Sequence, residues 1–182
     1  DTLGGVVRHI IPSFRIAPEA IDQDVSLLRA LGVTLRCGCP VSSGASLLEA
    51  GYTHVLYAIG AWAHRALPLQ GGQAMDALTF LEAAKDKPET LSLGRHVLVI
   101  GGGNTAMDTA RVAKRIAGVD TVTLLYRRTL REMPADAEEY ALALADGIVC
   151  RTLLSPVSLK GNRLLCEQMQ LGAPDADGRR SP

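Results

Sequence analysis

Three small residues at fixed spacing are the positions in this chain best suited to binding a phosphate-bearing ligand. Gly101, Gly103 and Ala106 form a Gly-x-Gly-x-x-Ala pattern directly after the apolar run Val97-Leu98-Val99-Ile100. This pattern is typical of a strand–turn–helix unit that binds a dinucleotide. We expect Gly101 to allow the tight turn, Gly103 to let the backbone approach a pyrophosphate, and Ala106 to let the helix pack closely on the strand. The free N–H groups at the helix start would then face the phosphates.

A basic cluster follows the next predicted strand and indicates which dinucleotide would bind. The run Thr121-Val122-Thr123-Leu124-Leu125-Tyr126 ends at Arg127 and Arg128, and Arg131 lies in the same loop. A unit that binds NAD usually carries an acidic residue near this point, to accept hydrogen bonds from the ribose 2′-hydroxyl. Guanidinium groups favour the additional phosphate of NADP, because their forked donors match its oxygens.

Each motif also has an interpretation without a ligand. Glycines cluster in ordinary turns, so the pattern at Gly101 is compatible with a structural unit that binds nothing. Arginine pairs such as Arg127 and Arg128 are also common on solvated surfaces. The position of the glycines between a buried strand and a helix, with the arginines after the next strand, favours the nucleotide interpretation.

The order of predicted elements indicates an α/β fold, a Rossmann-like three-layer NAD(P)-binding domain. Apolar periodicity and capping residues predict helices over residues 19–31, 45–50, 74–85, 104–117 and 135–145. Strands are predicted over residues 33–37, 54–60, 97–100, 121–126 and 148–154, and the strand over 97–100 should be buried on both faces. Ser155-Pro156 should end the last strand, ahead of an antiparallel ribbon formed by residues 157–160 and 163–171. Residues 1–15 should form a loop, because two glycines and a proline interrupt them.

The composition excludes several classes of protein. Nineteen basic and nineteen acidic residues balance in a chain of 182, so no global charge favours nucleic acid as a partner. No apolar run approaches the length of a membrane span, and no secretion signal is visible. The four cysteines (37, 39, 150 and 166) have neither zinc nor iron–sulfur spacing, so we expect no metal site. Free thiols of this kind indicate a reducing compartment, and we expect the cytoplasm.

No arrangement of residues suggests covalent catalysis. The four histidines, His9, His54, His64 and His96, are scattered, and no Tyr-x-x-x-Lys pair of the short-chain reductases is present. We therefore assign no catalytic residue. This agrees with hydride transfer, in which the cofactor carries the reaction and the protein supplies geometry and electrostatics.

Five motifs in order give the chain a family resemblance over nearly its whole length. They are Gly4-Gly5, Ile11-Pro12-Ser13-Phe14-Arg15, Tyr57-Ala58-Ile59-Gly60, residues 101–108, and Tyr126-Arg127-Arg128 through Glu132-Met133-Pro134. Together they resemble the glutamate synthase small-subunit type of pyridine-nucleotide:flavin oxidoreductase. The NADPH/FAD portion of dihydropyrimidine dehydrogenase is similar. The likeness is strongest to the selenate reductase-type iron–sulfur flavoprotein subunit, through residues 8–16 and 153–161.

The resemblance implies two nested nucleotide-binding units. Residues 1–65 would be part of an FAD-binding α/β domain, 66–93 a linker with a helix, and 94–182 an NADPH-binding domain that is incomplete at its C-terminus. The residues implied to line FAD are Gly4, Gly5, Val6 and Arg15. The residues predicted or implied to bind NADPH are Gly101, Gly102, Gly103, Asn104, Thr105, Ala106, Arg127, Arg128 and Arg131.

The implied activity is hydride transfer from NADPH to FAD, with electrons passing on to iron–sulfur clusters elsewhere in the protein or to a partner domain or subunit. The chain alone should bind NADPH but reduce no acceptor, because most of the FAD site would lie outside it. The alternative is a Rossmann module that binds nucleotide, or senses redox state, without turnover.

Overall fold

A computed structural model describes residues 2–63, 66–174, 180 and 182, and the chain divides into two compact units, Asp1–Ala63 and His64–Pro182. His64 and residues 1, 65, 175–179 and 181 lie outside the described residues. In the described part of the chain, no helix is both long enough and apolar enough to cross a membrane.

The first unit consists of short helices. They are α1 (Gly5–His9), α2 (Pro18–Ala30) and α3 (Gly44–Glu49). The predicted helix over 19–31 is confirmed, with Pro18 in its first turn and Gly32 after its end at a φ of 83° that suits glycine. The Arg8 guanidinium lies 2.5 Å from an Asp22 carboxylate oxygen and joins α1 to α2.

Three predictions for the first unit are wrong. Residues 5–9 form a helix and not a loop, because Gly4, at a φ of 122°, turns the chain directly into it. Residues 33–37 and 54–60 are not strands in the described structure. A strand needs a neighbouring strand to take up its backbone N–H and C=O groups, and neither segment pairs with another described one. Leu56 and Ile59 are accordingly 92% and 78% exposed instead of buried.

The second unit is built on a three-stranded parallel sheet, so the expected Rossmann-like α/β class is confirmed. Its strands are β1 (His96–Ile100), β2 (Thr121–Tyr126) and β3 (Val149–Thr152), in the spatial order β1-β2-β3. Its helices are α4 (Ala77–Asp86), α5 (Asn104–Arg115) and α6 (Ala137–Ala145). Helix α5 connects β1 to β2, and α6 connects β2 to β3. Strand β1 is the edge of the described sheet and Leu98 is 47% exposed, so the expectation of burial on both faces is wrong.

The core forms where α5 packs on β1 and β2. Met107, Ala110 and Ala113 are spaced three apart on α5 and are fully or almost fully buried. Val122 and Leu124 of β2 are equally buried beneath them. Three of the buried α5 residues are alanines, and their small side chains allow the helix to approach the sheet closely, which the turn between β1 and α5 requires.

The ribbon begins earlier than predicted. Strand β4 (Leu154–Lys160) contains Ser155 and Pro156, and it pairs antiparallel with β5 (Arg163–Gln168). The chain breaks at Leu153 instead, which separates β3 from β4 at a φ of 57°. Proline is tolerated in β4 because the register is irregular between Pro156 and Ser158. Gly161 and Asn162 connect the two strands, because Lys160 pairs with Arg163.

The segment predicted to be a linker, residues 66–93, lies within the second unit. Gln70 pairs with β4, because its N–H donates to the Val157 carbonyl at 3.1 Å and its carbonyl accepts from Leu159 at 2.7 Å. Helix α4 begins at Ala77, three residues later than expected, because Asp76 caps it by accepting from the Thr79 N–H.

A buried arginine joins α5 to α6. Arg111 is only 8% exposed, and its Nε donates to an Asp146 carboxylate oxygen at 2.8 Å. Arg115 donates to the same oxygen at 2.8 Å, and Glu139 lies 3.7 Å from the Arg111 guanidinium. Hydrogen bonds from Arg115 and Arg111 outweigh the effect of burial and lower the pKa of Asp146. Asp146 therefore offsets the cost of burying the Arg111 charge.

We predict that Asp146→Ala lowers the free energy of unfolding by about 1–3 kcal/mol, because it removes the shorter carboxylate contact of a buried guanidinium. A lowered pKa means that the native state binds the Asp146 proton less readily than the unfolded chain does. The stabilisation is therefore present above the ordinary aspartate pKa and is lost as the pH falls through the lowered value. Urea unfolding between pH 7 and pH 3 should show a smaller loss on acidification in the variant. An equal loss in both proteins would contradict this role for Asp146.

Candidate functional site

The turn between β1 and α5 begins with a contact that leaves little room for a side chain at Gly101. Gly101 has a φ of 147°, and a Cβ added there would lie 3.2 Å from the Ala106 Cβ. Its N–H donates to the Leu125 carbonyl at 2.9 Å and so continues the ladder between β1 and β2. Ala106 is buried at this contact. The geometry expected of Gly101 and Ala106, a tight turn with close packing of helix on strand, is the geometry observed.

Gly102 packs against an aromatic ring, a contact that the sequence pattern does not reveal. A Cβ at Gly102 would lie 2.6 Å from Cδ2 and 2.7 Å from Cε2 of Tyr126. Tyr126 is the buried last residue of β2, which the register places beside the glycine turn because Ile100 pairs with Leu125. The middle glycine is therefore needed for packing, whether or not a ligand is bound.

Gly103 faces open space. It caps α5 with extended backbone (φ −96°, ψ 174°), and an added Cβ would meet nothing within 4 Å. The carbonyl of Gly103 accepts the N–H groups of Ala106 and Met107, at 2.9 Å and 3.2 Å. The N–H groups of Asn104 and Thr105 lie in the first turn, where a helix offers them no carbonyl. This end of α5 can therefore present backbone donors and partial positive charge to an anion.

The three predicted arginines lie at the same edge of the sheet as the glycine turn, because they follow the strand next to β1. They belong to residues 127–136, which we call the arginine segment. Arg127 and Arg131 are exposed, and Arg128 is partly buried. The Nε of Arg128 is buried and has no hydrogen-bond partner among the described residues.

The three arginines differ in their carboxylate neighbours. Arg131 lies close enough to Glu132 to help lower the pKa of that carboxyl, although a hydrogen bond from Thr129 is the larger cause. Neither Arg127 nor Arg128 forms an ion pair with any carboxylate of the described chain. Two guanidinium groups beside the glycine turn are therefore available to an anionic ligand.

Three sets of hydrogen bonds attach the arginine segment to the end of β2, the glycine turn and the start of α5. The Tyr126 hydroxyl donates to the Glu132 carbonyl at 2.7 Å, and the Ala135 N–H donates to the Gly102 carbonyl at 2.9 Å. The Asn104 Nδ2 donates to an Asp136 carboxylate oxygen at 2.8 Å, and the Asp136 N–H donates to the Asn104 Oδ1 at 2.9 Å. Asn104 is one of the residues implied to bind NADPH, and its side chain is committed to the arginine segment. Tyr126, Ala135 and Asp136 contribute to the site without having been predicted from the sequence.

The residues expected to line FAD lie in the first unit and show no comparable closure. Gly4 packs against its own helix, because a Cβ there would lie 2.7 Å from the Arg8 Cβ. Gly5 and Val6 are exposed in the first turn of α1, and Arg15 is exposed in the turn that begins at Pro12. The structure therefore gives Gly4 a packing role and leaves the contact with flavin a prediction.

The remaining titratable groups do not form a catalytic cluster in the described structure. The His9 ring lies 3.2 Å from the Thr2 hydroxyl, and the His54 ring lies 3.1 Å from the Thr53 hydroxyl. The His96 ring lies 2.7 Å from the hydroxyl of Thr121 on the neighbouring strand. All four cysteines are free, and burial raises the pKa of the Cys150 and Cys166 thiols. A cleft of about 1060 Å³ lies beside α4 and β1, and neither the glycine turn nor the arginines line it.

Comparison with known proteins gives one matching protein family and several similar proteins. The model of the pyridine nucleotide-disulphide oxidoreductase family matches residues 26–174, which include both the glycine turn and the arginines. The protein YgfK of Escherichia coli (strain K12) is 43% identical over 98% of this chain and 18% of its own length. The NAD-dependent dihydropyrimidine dehydrogenase subunit PreT of Salmonella typhimurium is 36% identical over 88% of this chain and 40% of its own. The NADP(+)-dependent formate dehydrogenase subunit beta of Moorella thermoacetica is 36% identical over 98% of this chain and 27% of its own length.

The chain therefore spans between about a fifth and two fifths of the length of these relatives. Their names also differ in the nucleotide, which is NAD in one case and NADP in another. Similarity alone does not choose between the two.

The two glycines at 102 and 103 should respond differently to the same substitution. We predict that Gly102→Ala lowers the free energy of unfolding by about 1–3 kcal/mol, because the new methyl group overlaps the Tyr126 ring. Gly103→Ala is the matched control. It adds the same methyl group in open space and should cost less than about 1 kcal/mol, from the poorer helix cap. Chemical denaturation of both variants measures the difference, and equal losses would contradict the packing assigned to Tyr126.

Proposed function

Because this chain belongs to the pyridine nucleotide-disulphide oxidoreductase family, we propose that it is the NADPH-binding part of a longer flavoprotein oxidoreductase. The whole protein would pass a hydride from NADPH to FAD, and electrons would then reach iron–sulfur clusters or a partner subunit. The nicotinamide and the flavin supply the redox chemistry. The role proposed for this chain is to bind and select the donor nucleotide.

The observation that carries the proposal is the position of Arg127 and Arg128 beside the glycine turn. The start of α5 offers backbone donors where a pyrophosphate would lie, and the neighbouring strand ends in two guanidinium groups that form no ion pair with a carboxylate of the described residues. A 2′-phosphate offers such groups hydrogen bonds to an opposite charge, whereas a ribose hydroxyl is uncharged. The arrangement therefore supports NADPH over NADH.

The names of the relatives are consistent with an assembly of several subunits. The formate dehydrogenase protein is named a beta subunit, as is the NADPH-Fe(3+) oxidoreductase protein of Geobacter sulfurreducens, which is 34% identical over 98% of this chain. We propose that this chain likewise belongs to a protein whose FAD site is completed outside residues 1–182. Gly4, Gly5, Val6 and Arg15 would contribute part of that site, and the 182-residue chain alone would bind NADPH without reducing an acceptor.

We expect the chain to bind NADPH more tightly than NADH, and we expect Arg127→Glu to remove most of that preference. The substitution replaces a charge-assisted contact with repulsion and should weaken NADPH binding by about 1.5–3 kcal/mol, with a small effect on NADH. Isothermal titration calorimetry with both nucleotides measures the change.

The matched control is Arg163→Glu, which reverses an exposed charge on β5 and should leave both affinities unchanged. Equal affinity of the unmodified chain for NADPH and NADH would contradict selection by the arginines. Tight binding without any flavin-linked turnover in the full-length protein would favour a nucleotide-binding module that is not an enzyme.

Gly103→Ala tests the docking of the pyrophosphate separately from the choice of nucleotide. Its methyl group should occupy the open space above the start of α5, where the phosphates would approach the backbone. We expect binding of NADPH and NADH to weaken by similar factors of at least about tenfold, because both carry the pyrophosphate and a lost charge-assisted contact is of this size. Unchanged affinity in a folded Gly103→Ala variant would place the pyrophosphate elsewhere.

A further inference from the structure

Asn104 connects the two halves of the proposed nucleotide site. Its backbone lies in the first turn of α5, where the pyrophosphate would bind, and its side chain holds Asp136 at the end of the arginine segment. The amide donates to the Asp136 carboxylate and accepts from the Asp136 N–H, at 2.8 Å and 2.9 Å. A planar amide matched by both a donor and an acceptor has one preferred orientation. The pair therefore sets both the distance and the direction of the segment.

The usual structural role of these residues does not account for the pair. Asp136 precedes α6 and Glu139 stands three positions later, a spacing typical of a capping box. The Asp136 side chain nevertheless makes no capping hydrogen bond to α6, and Glu139 lies beside Arg111 instead. The carboxylate of Asp136 is thus diverted from the helix that it precedes towards the glycine turn.

We infer that Asn104 and Asp136 form a latch that positions the arginines for the 2′-phosphate of the nucleotide. The inference rests on the proposed function and goes further, because it assigns nucleotide selection partly to a pair that does not touch the phosphate being selected. Charge-assisted contacts depend on alignment, so a segment displaced by about 1 Å loses much of their strength. Asn104 and Asp136 are positioning residues in this scheme, and the arginines make the contacts.

The first test compares nucleotide preference. Asn104→Ala removes both hydrogen bonds of the latch and should lower the ratio of NADPH to NADH affinity by about tenfold, with NADH binding changed much less. Asp136→Asn is the conservative rescue, since its amide oxygen can still accept from Asn104 and its N–H is unchanged. This variant should keep the ratio of NADPH to NADH affinity of the unmodified chain. Asn162→Ala, in the β4–β5 turn, replaces the only other asparagine of the chain and should also keep the ratio.

The second test needs no nucleotide. Amide hydrogen exchange in the arginine segment should rise in Asn104→Ala and remain unchanged in Asp136→Asn, while the exchange of β2 stays as in the unmodified chain. This result distinguishes release of the segment from unfolding of the domain.

The outcomes separate this inference from the proposed function. If the unmodified chain prefers NADPH and Asn104→Ala has the same ratio of NADPH to NADH affinity, the latch is overturned and the proposed function remains intact. An equal loss of NADPH and NADH affinity in Asn104→Ala would also overturn it, because Asn104 would then be a pyrophosphate contact. An unmodified chain without preference would overturn the proposed function, and the latch as a device for selection with it.

Discussion

The close packing of side chains against the backbone of the glycine turn is the constraint on which the site depends. Gly101 lies against Ala106, and Gly102 lies against the Tyr126 ring, so both contacts of this turn leave little or no room for a side chain at these glycines. Helix α5 can begin directly above the sheet only because those positions are so small. The same closeness places the N–H groups of the first turn at the edge of the sheet where β2 ends.

Tyr126 links this packing to the electrostatics of the site. Its ring fills the space above Gly102, while its hydroxyl holds the Glu132 carbonyl and with it the arginine segment. One buried side chain therefore supports the turn proposed to bind the pyrophosphate and the loop proposed to select the phosphate. A segment fixed at several points can hold two arginines near each other, although their mutual repulsion favours separation.

The chain uses its charged residues in two ways. Between α5 and α6, Arg111 is buried and satisfied by Asp146, so the charge serves to join two helices. Beside the glycine turn, Arg127 and Arg128 have no carboxylate partner among the described residues. The difference follows from position. Arg111 lies between two helices, whereas Arg127 and Arg128 lie at the open edge of a sheet, where a ligand can replace the missing partner.

Much of the second unit could be predicted because its signals are local. The six residues of β2 and the start of α5 at Asn104 follow from apolar runs, glycines and helix-forming residues that act over one or two turns. The first unit shows the limit of this reasoning. Residues 54–60 have the composition of a strand, but strand pairing is a long-range property and no described segment pairs with them.

The amino-acid sequence by itself determined the glycine turn, the order of β1, α5 and β2, and the presence of arginines after β2. Only the tertiary structure decided how those parts are joined. The contact of Gly102 with Tyr126 spans 24 positions, and the hydrogen bonds between Asn104 and Asp136 span 32. Neither residue type requires such a partner, since a glycine has many reasons to occur in a turn and an aspartate before a helix is ordinarily a cap. Those partners are set by the pairing of β1 with β2, which brings distant segments of the chain to one edge of the sheet.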